Sequence, residues 1–345
     1  MCKIESMKFD IALAPTHLSE IPSLARRAES LGASCLWTTE TQHDPFLPQT
    51  LAAEHTTQIE LGTAVAIAFA RSPMTVAHTS WDLAAQSNGR FILGLGTQVK
   101  PHIERRFGMT WPESPVSKLR EFMSALRAVW QAWQQGDRLN FRGEHFKLTL
   151  MTPFFNPGPI TTPKIPIYIA GVNTPLIKLA GEAADGFHVH PHHSRKYMAE
   201  VVLPNIEEGA KKVGRSRHDV VIACSSFVAI GENEEARSGM REAMRSQIAF
   251  YASTPTYHTV MDIHGWSAQR EQLTALASKG QWDEMTKVIT DEMLAEFVVE
   301  GTWDDIGLTV RKKYEGLADR VSLYLPFTLD AKDDDWKKVA KTIHS

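Results

Sequence analysis

The sequence predicts an α/β chain: a (β/α)8 TIM barrel, built as a single domain over residues 1–345. Three observations predict it. Eight short apolar runs punctuate the chain, and amphipathic helical stretches follow the first five of them. That alternation is the signature of parallel strands joined by crossover helices. No tandem repeat with a period of 20–50 residues competes with it. An open doubly wound sheet of about six strands is the alternative arrangement of the same elements.

The first strand is read at Phe9–Ala14, and a helix at Leu18–Leu31 with Ile21, Leu24, Ala25, Ala28 and Leu31 on one face. Gly32 stands where a helix C-cap belongs. Strands follow at Ser34–Thr38, Ile59–Ala64 and Phe91–Leu95, with helices at about 47–55, 73–87 and 116–135. The fifth strand is Ile165–Ala170, with a helix from Pro175; the sixth is Gly186–Val189 and the seventh Val220–Ile230. Val321–Leu325 is the eighth, after a helix at Trp303–Leu317. Two insertions interrupt the pattern. Arg138–Thr149 reads as a short hairpin before strand five. Residues of about 232–302 read as a helical excursion after strand seven, with helices near 234–251, 267–279 and 283–296. Loops after barrel strands build active sites, so this excursion is a candidate for substrate selection.

Composition narrows the function. The net charge of −3 gives no general basic field for nucleic acid or an anionic membrane. No apolar run approaches the ~20 residues that span a bilayer. The three cysteines, Cys2, Cys35 and Cys224, are widely separated; with no signal-like N-terminus, they fit a reducing cytoplasm. Cys35 and Cys224 sit in strand-like runs and are expected to be buried thiols.

The strand ends carry the candidate chemistry. After strand two, Glu40, Gln42, His43 and Asp44 cluster, and His43 and Glu40 are the candidates for proton transfer. After strand three, the small residues Ala64, Ala66 and Ala68 allow backbone to approach a flat ring, with Val65 and Ile67 supporting one face. Strand four ends in Gly94-Leu95-Gly96, followed by the hydrogen-bonding Thr97 and Gln98. After strand five, Ala170, Gly171, Val172, Asn173 and Thr174 lead into a helix starting near Pro175; free N–H groups there make an anion site. His188, His190, His192 and His193 crowd the sixth strand end. Their spacing fits no metal motif, and His190 is read as a cofactor or mouth residue. Tyr251, Tyr257 and Trp266 in the excursion are candidates for an apolar substrate pocket, with Trp37 and Phe46 nearer the cofactor.

The runs "YIAGVNTPLIKLAGEAADGFHVHP", "LGASCLWTTETQHDPF", "IELGTAVAIAFARSPMTVAHTSWDLAAQSNGRFILGLGTQVKPHIERRFG" and "LAEFVVEGTWDDIG" together resemble the luciferase-like monooxygenase superfamily. Within it, "GLGTQVKPHIERRFG" and "ETQHDPFLP" are most similar to its deazaflavin-dependent oxidoreductases. The resemblance implies a homodimer binding coenzyme F420, or alternatively FMN, and a small-molecule substrate. It implies a ring over a strand-three bulge, often a non-prolyl cis peptide, within Ala66–Ala68, and a phosphate at Gly171–Thr174. Glu40 matches an acidic residue of that family, whereas Thr41 stands where the family often has His, and His43 follows two positions later. Thr97-Gln98 offers an amide where some members carry glutamate. The implied activity is hydride transfer between F420 and a small organic substrate. The alternatives are a reduced-flavin monooxygenase and a cofactor-binding protein without catalysis.

Overall fold

The computed structural model describes residues 6–13 and 17–345. Eight parallel strands form the ring: β1 (Lys8–Leu13), β2 (Cys35–Thr38), β3 (Glu60–Thr63), β4 (Phe91–Gly96), β5 (Ile167–Gly171), β6 (Gly186–Val189), β7 (Val221–Ile230) and β8 (Arg320–Leu323). Each pairs with the next, and β8 returns to β1 through Phe9↔Val321 and Asp10↔Ser322. The barrel read from the sequence is therefore the fold observed, and the open sheet is excluded. Strand bounds move by one or two residues, as termini do. Ala14 and Cys2 lie outside the described residues.

Strand alternation turns every second side chain inward. At the N-terminal end these form an ion network. Arg320 on β8 donates to both carboxylate oxygens of Asp10 on β1, at 2.8 and 2.9 Å. It also pairs with Glu60 at 2.8 Å, and Glu60 takes Lys8 at 3.2 Å. Trp37 Nε1–H donates to Asp10 at 2.8 Å. Three rings fill the interior: Trp37, Tyr168 and His188, with Trp37 centred 4.8 Å from His188 and 6.0 Å from Tyr168. They fit because glycines stand beside them. A Cβ on Gly62 would lie 2.2 Å from the Trp37 ring, and one on Gly186 would lie 2.5 Å from Tyr168. Cys35 and Cys224 are both fully packed, as expected.

The outer helices follow the pattern read from the sequence. Pro73–Gln86 and Pro115–Gln135 each start behind a serine cap, Ser72 and Ser114, with proline in the first turn. The hairpin pairs Phe141–Arg142 with Lys147–Leu148. Glu121 anchors its turn by accepting from the N–H groups of Glu144, His145 and Phe146. The excursion holds helices at Glu234–Ser253, Ser267–Ser278, Trp282–Thr286 and Asp291–Phe297. It differs from the sequence reading in three ways, the first being a short added helix at His258–Asp262. The stretch 283–296 is not one helix, because Thr290 caps a new one by accepting from Met293 N–H. Its end is strand Val298–Gly301, paired with the outer half of β7, as the β-branched Val298-Val299 pair favours. Helices at Lys100–Arg105, 195–211 and Asp333–His344 complete the shell without having been predicted. Among the described residues no helix is long and apolar enough to cross a membrane.

Candidate active site

The C-terminal mouth is where the filling of the barrel stops. Below it the inward positions are indole, phenol and imidazole. At the strand ends they are Ala12, Ala64 and Ala170, all partly exposed, and the glycine Gly96. Thr39, Ser225 and Tyr324 complete the rim. With methyl groups in place of rings, this end of the barrel is more open to solvent than its interior, and it is the end where active sites form.

One wall of the mouth is a β-bulge. Gly62 pairs with Ile92, but Ala66 pairs with Leu95, so the third segment carries one residue more than β4 over the same length. The extra length is taken up at Ala64-Val65, whose peptide bond is cis. The resemblance implied that peptide within Ala66–Ala68; it comes earlier because β3 ends at Thr63. The Thr63 hydroxyl bridges the gap, donating to Gly94 O at 2.7 Å and accepting from Gly94 N–H at 3.0 Å. A Cβ on Gly94 would lie 1.8 Å from Thr63 O, so only glycine permits this approach. Ala66, Ile67 and Ala68 follow, all buried.

Glu40 fixes the bulge. Its carboxylate accepts from Ile67 N–H at 2.7 Å and from Arg71 at 2.6 Å, and its side chain is only 6% exposed. Arg71 also donates to Ile67 O at 3.2 Å and reaches Asp44 at 3.1 Å. Asp44 in turn accepts from Phe46 and Leu47 N–H groups, starting helix Phe46–His55. Glu40 is therefore a buried, paired support, whereas His43, three residues on, is exposed at the rim. The sequence reading offered either of the two as the proton donor; their surroundings differ, Glu40 being paired and His43 exposed.

At the β4 exit, Gln98 has φ of 60°, and its side chain accepts from Val99 N–H. The Thr97 hydroxyl donates to Gln98 O. At the β5 exit, Gly171 ends the strand and Asn173 caps helix Thr174–Ala183 by accepting from Leu176 N–H at 3.0 Å. Within the first turn Pro175 has no N–H, and the Leu176 and Ile177 N–H groups both donate to Asn173 O at 3.1 Å, so the helix start offers an anion the Thr174 N–H and the positive end of the dipole. Val172 O accepts from the Tyr197 hydroxyl at 2.9 Å, which fixes the turn from behind.

Across the mouth stand the histidines. His190 accepts at Nδ1 from His192 N–H at 3.1 Å, and its Nε2 lies 3.2 Å from the Tyr257 hydroxyl. Its ring lies 4.5 Å from both Tyr251 and Tyr257. His193 spans His190 O and the Tyr314 hydroxyl, at 2.7 and 3.0 Å. His192 stacks on Phe297, and its two ring nitrogens have no protein partner among the described residues. Burial holds His188, His190 and His193 down to about pKa 3, and drives His192 down as well. All four are neutral imidazoles near pH 7.

Tyr251 and Tyr257 thus meet His190, as a substrate pocket requires. Trp266 stacks on His264, farther out. Trp37 lies in the barrel interior, whereas Phe46 packs in the outer core under the Arg71 guanidinium. Sequence reasoning missed Arg71, Thr39 and Tyr324. Alternation on β8 pointed to Tyr324, two residues beyond the inward Ser322. Nothing local marked Arg71, whose carboxylate partners are 27 and 31 positions away.

Three comparisons bear on the family. A protein of Mycobacterium tuberculosis described as uncharacterized is 44% identical over 320 residues, covering 93% of each chain. The 5,10-methylenetetrahydromethanopterin reductase of Archaeoglobus fulgidus is 32% identical over 311 residues, 87% of this chain and 88% of that one. The coenzyme F420-dependent tetrahydromethanopterin reductase of Methanopyrus kandleri has the same fold, with a TM-score of 0.77 at 24% identity over 97% of this chain and 98% of that one. The profile of the luciferase-like monooxygenase family matches residues 7–320, and with it the bulge, the mouth and the β5 exit; the chain belongs to that family of oxidoreductases.

Proposed function

We propose that the protein uses coenzyme F420 to transfer a hydride to or from a small organic substrate held over the barrel mouth. The observation that carries this reading is the layer of small side chains at the mouth, bounded by the bulge and by the start of helix Thr174–Ala183. The 32% identity to an archaeal methylenetetrahydromethanopterin reductase supports it. The residues present fit the group. Ala64, Gly94 and Gly96 leave space for a flat ring against backbone. Ala66, Ile67 and Ala68 back the bulge, and Thr97 and Gln98 border it. Ala170, Gly171, Val172, Asn173 and Thr174 form a turn suited to phosphate.

When bound, the deazaflavin supplies a carbon that gives or accepts two electrons as hydride. The chain does the rest. Glu40 and Arg71 hold the bulge rigid, so that the platform does not move under the ring. The excursion and its aromatic side chains exclude water. In this reading His43, in the loop after β2, gives or takes the proton. The same reading makes the protein a cytoplasmic homodimer.

The test is a titration of cofactor-free protein with F420 and with FMN, followed by bound absorbance. Saturable F420 binding without FMN binding supports the proposal. FMN binding alone replaces it with a reduced-flavin monooxygenase. F420 binding without turnover on any substrate leaves a cofactor-binding protein. Two variants refine the picture. Gly171→Asp weakens F420 binding at least about tenfold, because the carboxylate repels a phosphate. Gly171→Ala separates that charge effect from crowding against Leu176, whose Cβ lies 2.6 Å from the new methyl group. His43→Ala lowers kcat by about a hundredfold with cofactor affinity nearly unchanged; equal losses in both make it structural.

A further inference from the structure

The hydrogen bonds around His190 fix a direction. Its Nδ1 accepts from His192 N–H, so a neutral ring carries its proton on Nε2. That Nε2–H therefore donates to the Tyr257 oxygen at 3.2 Å. The hydroxyl oxygen is used as an acceptor, which leaves the phenol's own proton to be directed elsewhere. Tyr257 is partly exposed and sits on the excursion, beside Tyr251 and opposite the bulge wall. Tyr324 lies on the same side, its hydroxyl 3.5 Å from that of Tyr251. Strands β6 to β8 supply this face, and β3 and β4 supply the other.

We propose that Tyr257, oriented by His190, is the hydrogen-bond donor that seats a substrate carrying a carbonyl-type acceptor next to its reacting carbon. The inference rests on the functional reading above and names its substrate class: small, largely apolar molecules with one acceptor atom. The surroundings are aromatic, so an acceptor is the one polar feature the face rewards. Burial supports the assignment of roles. It holds the phenol of Tyr257 at about pKa 12, so it remains a donor, and keeps His190 neutral. His190, read from the sequence as a cofactor or mouth residue, is in this proposal a positioning residue.

The experiment compares two probes of one shape, cyclohexanone and methylenecyclohexane, by ligand-observed NMR on protein saturated with F420. F420 saturation is measured first on its own, so failure there overturns the cofactor reading and not the donor assignment. Wild-type protein is expected to prefer the ketone roughly three- to tenfold, the range of one hydrogen bond. Tyr257→Phe abolishes that preference, while affinity for the alkene and for F420 stays within about twofold. His190→Leu also abolishes it, and His190→Gln, which retains an N–H donor, restores part of it. Wild-type protein that binds both probes alike, or neither, overturns the proposal. So does a Tyr257→Phe variant that keeps the preference.

Discussion

Stability in urea falls steeply as the pH drops from about 7.5 to about 5. The cause is the buried imidazoles of the sixth strand end. His188, His190 and His193 have folded pKa values of about 3, and His192 is shifted in the same direction. In the unfolded chain each returns to about 6.5. Between these limits the unfolded state binds protons that the folded state refuses, so stability rises with pH through this window and is lost on acidification. The loss begins near the unfolded value and levels off only below about pH 3. By pH 5 it amounts to about 2 kcal/mol for each of His188, His190 and His193. Summed over these three, that is comparable to the whole stability of an ordinary domain. Carboxylates such as Glu29, held low by three backbone N–H groups, lose their contribution only at lower pH. The interval from 7.5 to 5 therefore isolates the histidines. His192→Phe keeps a ring on Phe297, removes two unpartnered nitrogens and should flatten the slope by one proton. A urea midpoint that does not move over this interval would mean that the histidines are solvated.

Why the sequence yielded the ring of strands but not the whole site follows from the distances involved. Val220–Ile230 and Phe91–Gly96 are local patterns: a few consecutive residues suffice to read them. The β5 exit was legible for the same reason, since Asn173, Thr174 and Pro175 form a cap in sequence as in space. Glu40 was noticed, but its role was not, because that role is defined by Arg71 and by the Ile67 amide, on the far side of a bulge. A bulge is one residue of excess over a partner strand, and a partner strand is not visible in a single segment. Helix Asp333–His344 was overlooked although Trp336, Val339, Ala340 and Ile343 have clear helical spacing; eight strands had already satisfied the expected pattern. The broken helix near Thr290 was missed because a threonine cap within a run of helix formers is a small signal.

Arg320→Met is expected to cost about 3–5 kcal/mol, the usual penalty for stranding a buried charge. Arg320 is 2% exposed, and it touches Asp10 on β1 and Glu60 on β3 from its place on β8. It thus clasps the last strand of the barrel to the first, at positions 310 residues apart. Removing it leaves Asp10 with the Trp37 N–H and leaves Glu60 with Lys8 at the surface. The Asp10→Leu/Arg320→Met double variant removes both charges and is expected to recover most of the loss, because two buried charges are expensive only when unmatched. The coupling in that cycle, read from urea unfolding, should exceed about 1 kcal/mol. A cost below that for Arg320→Met alone would mean that backbone pairing of β8 with β1 closes the ring without help. The consequence extends to the mouth. Trp37 rests on Asp10 and packs edge-on against His188, two residues below His190. Loosening the clasp should therefore also reduce the ketone preference attributed to Tyr257, without altering the phosphate turn at the β5 exit.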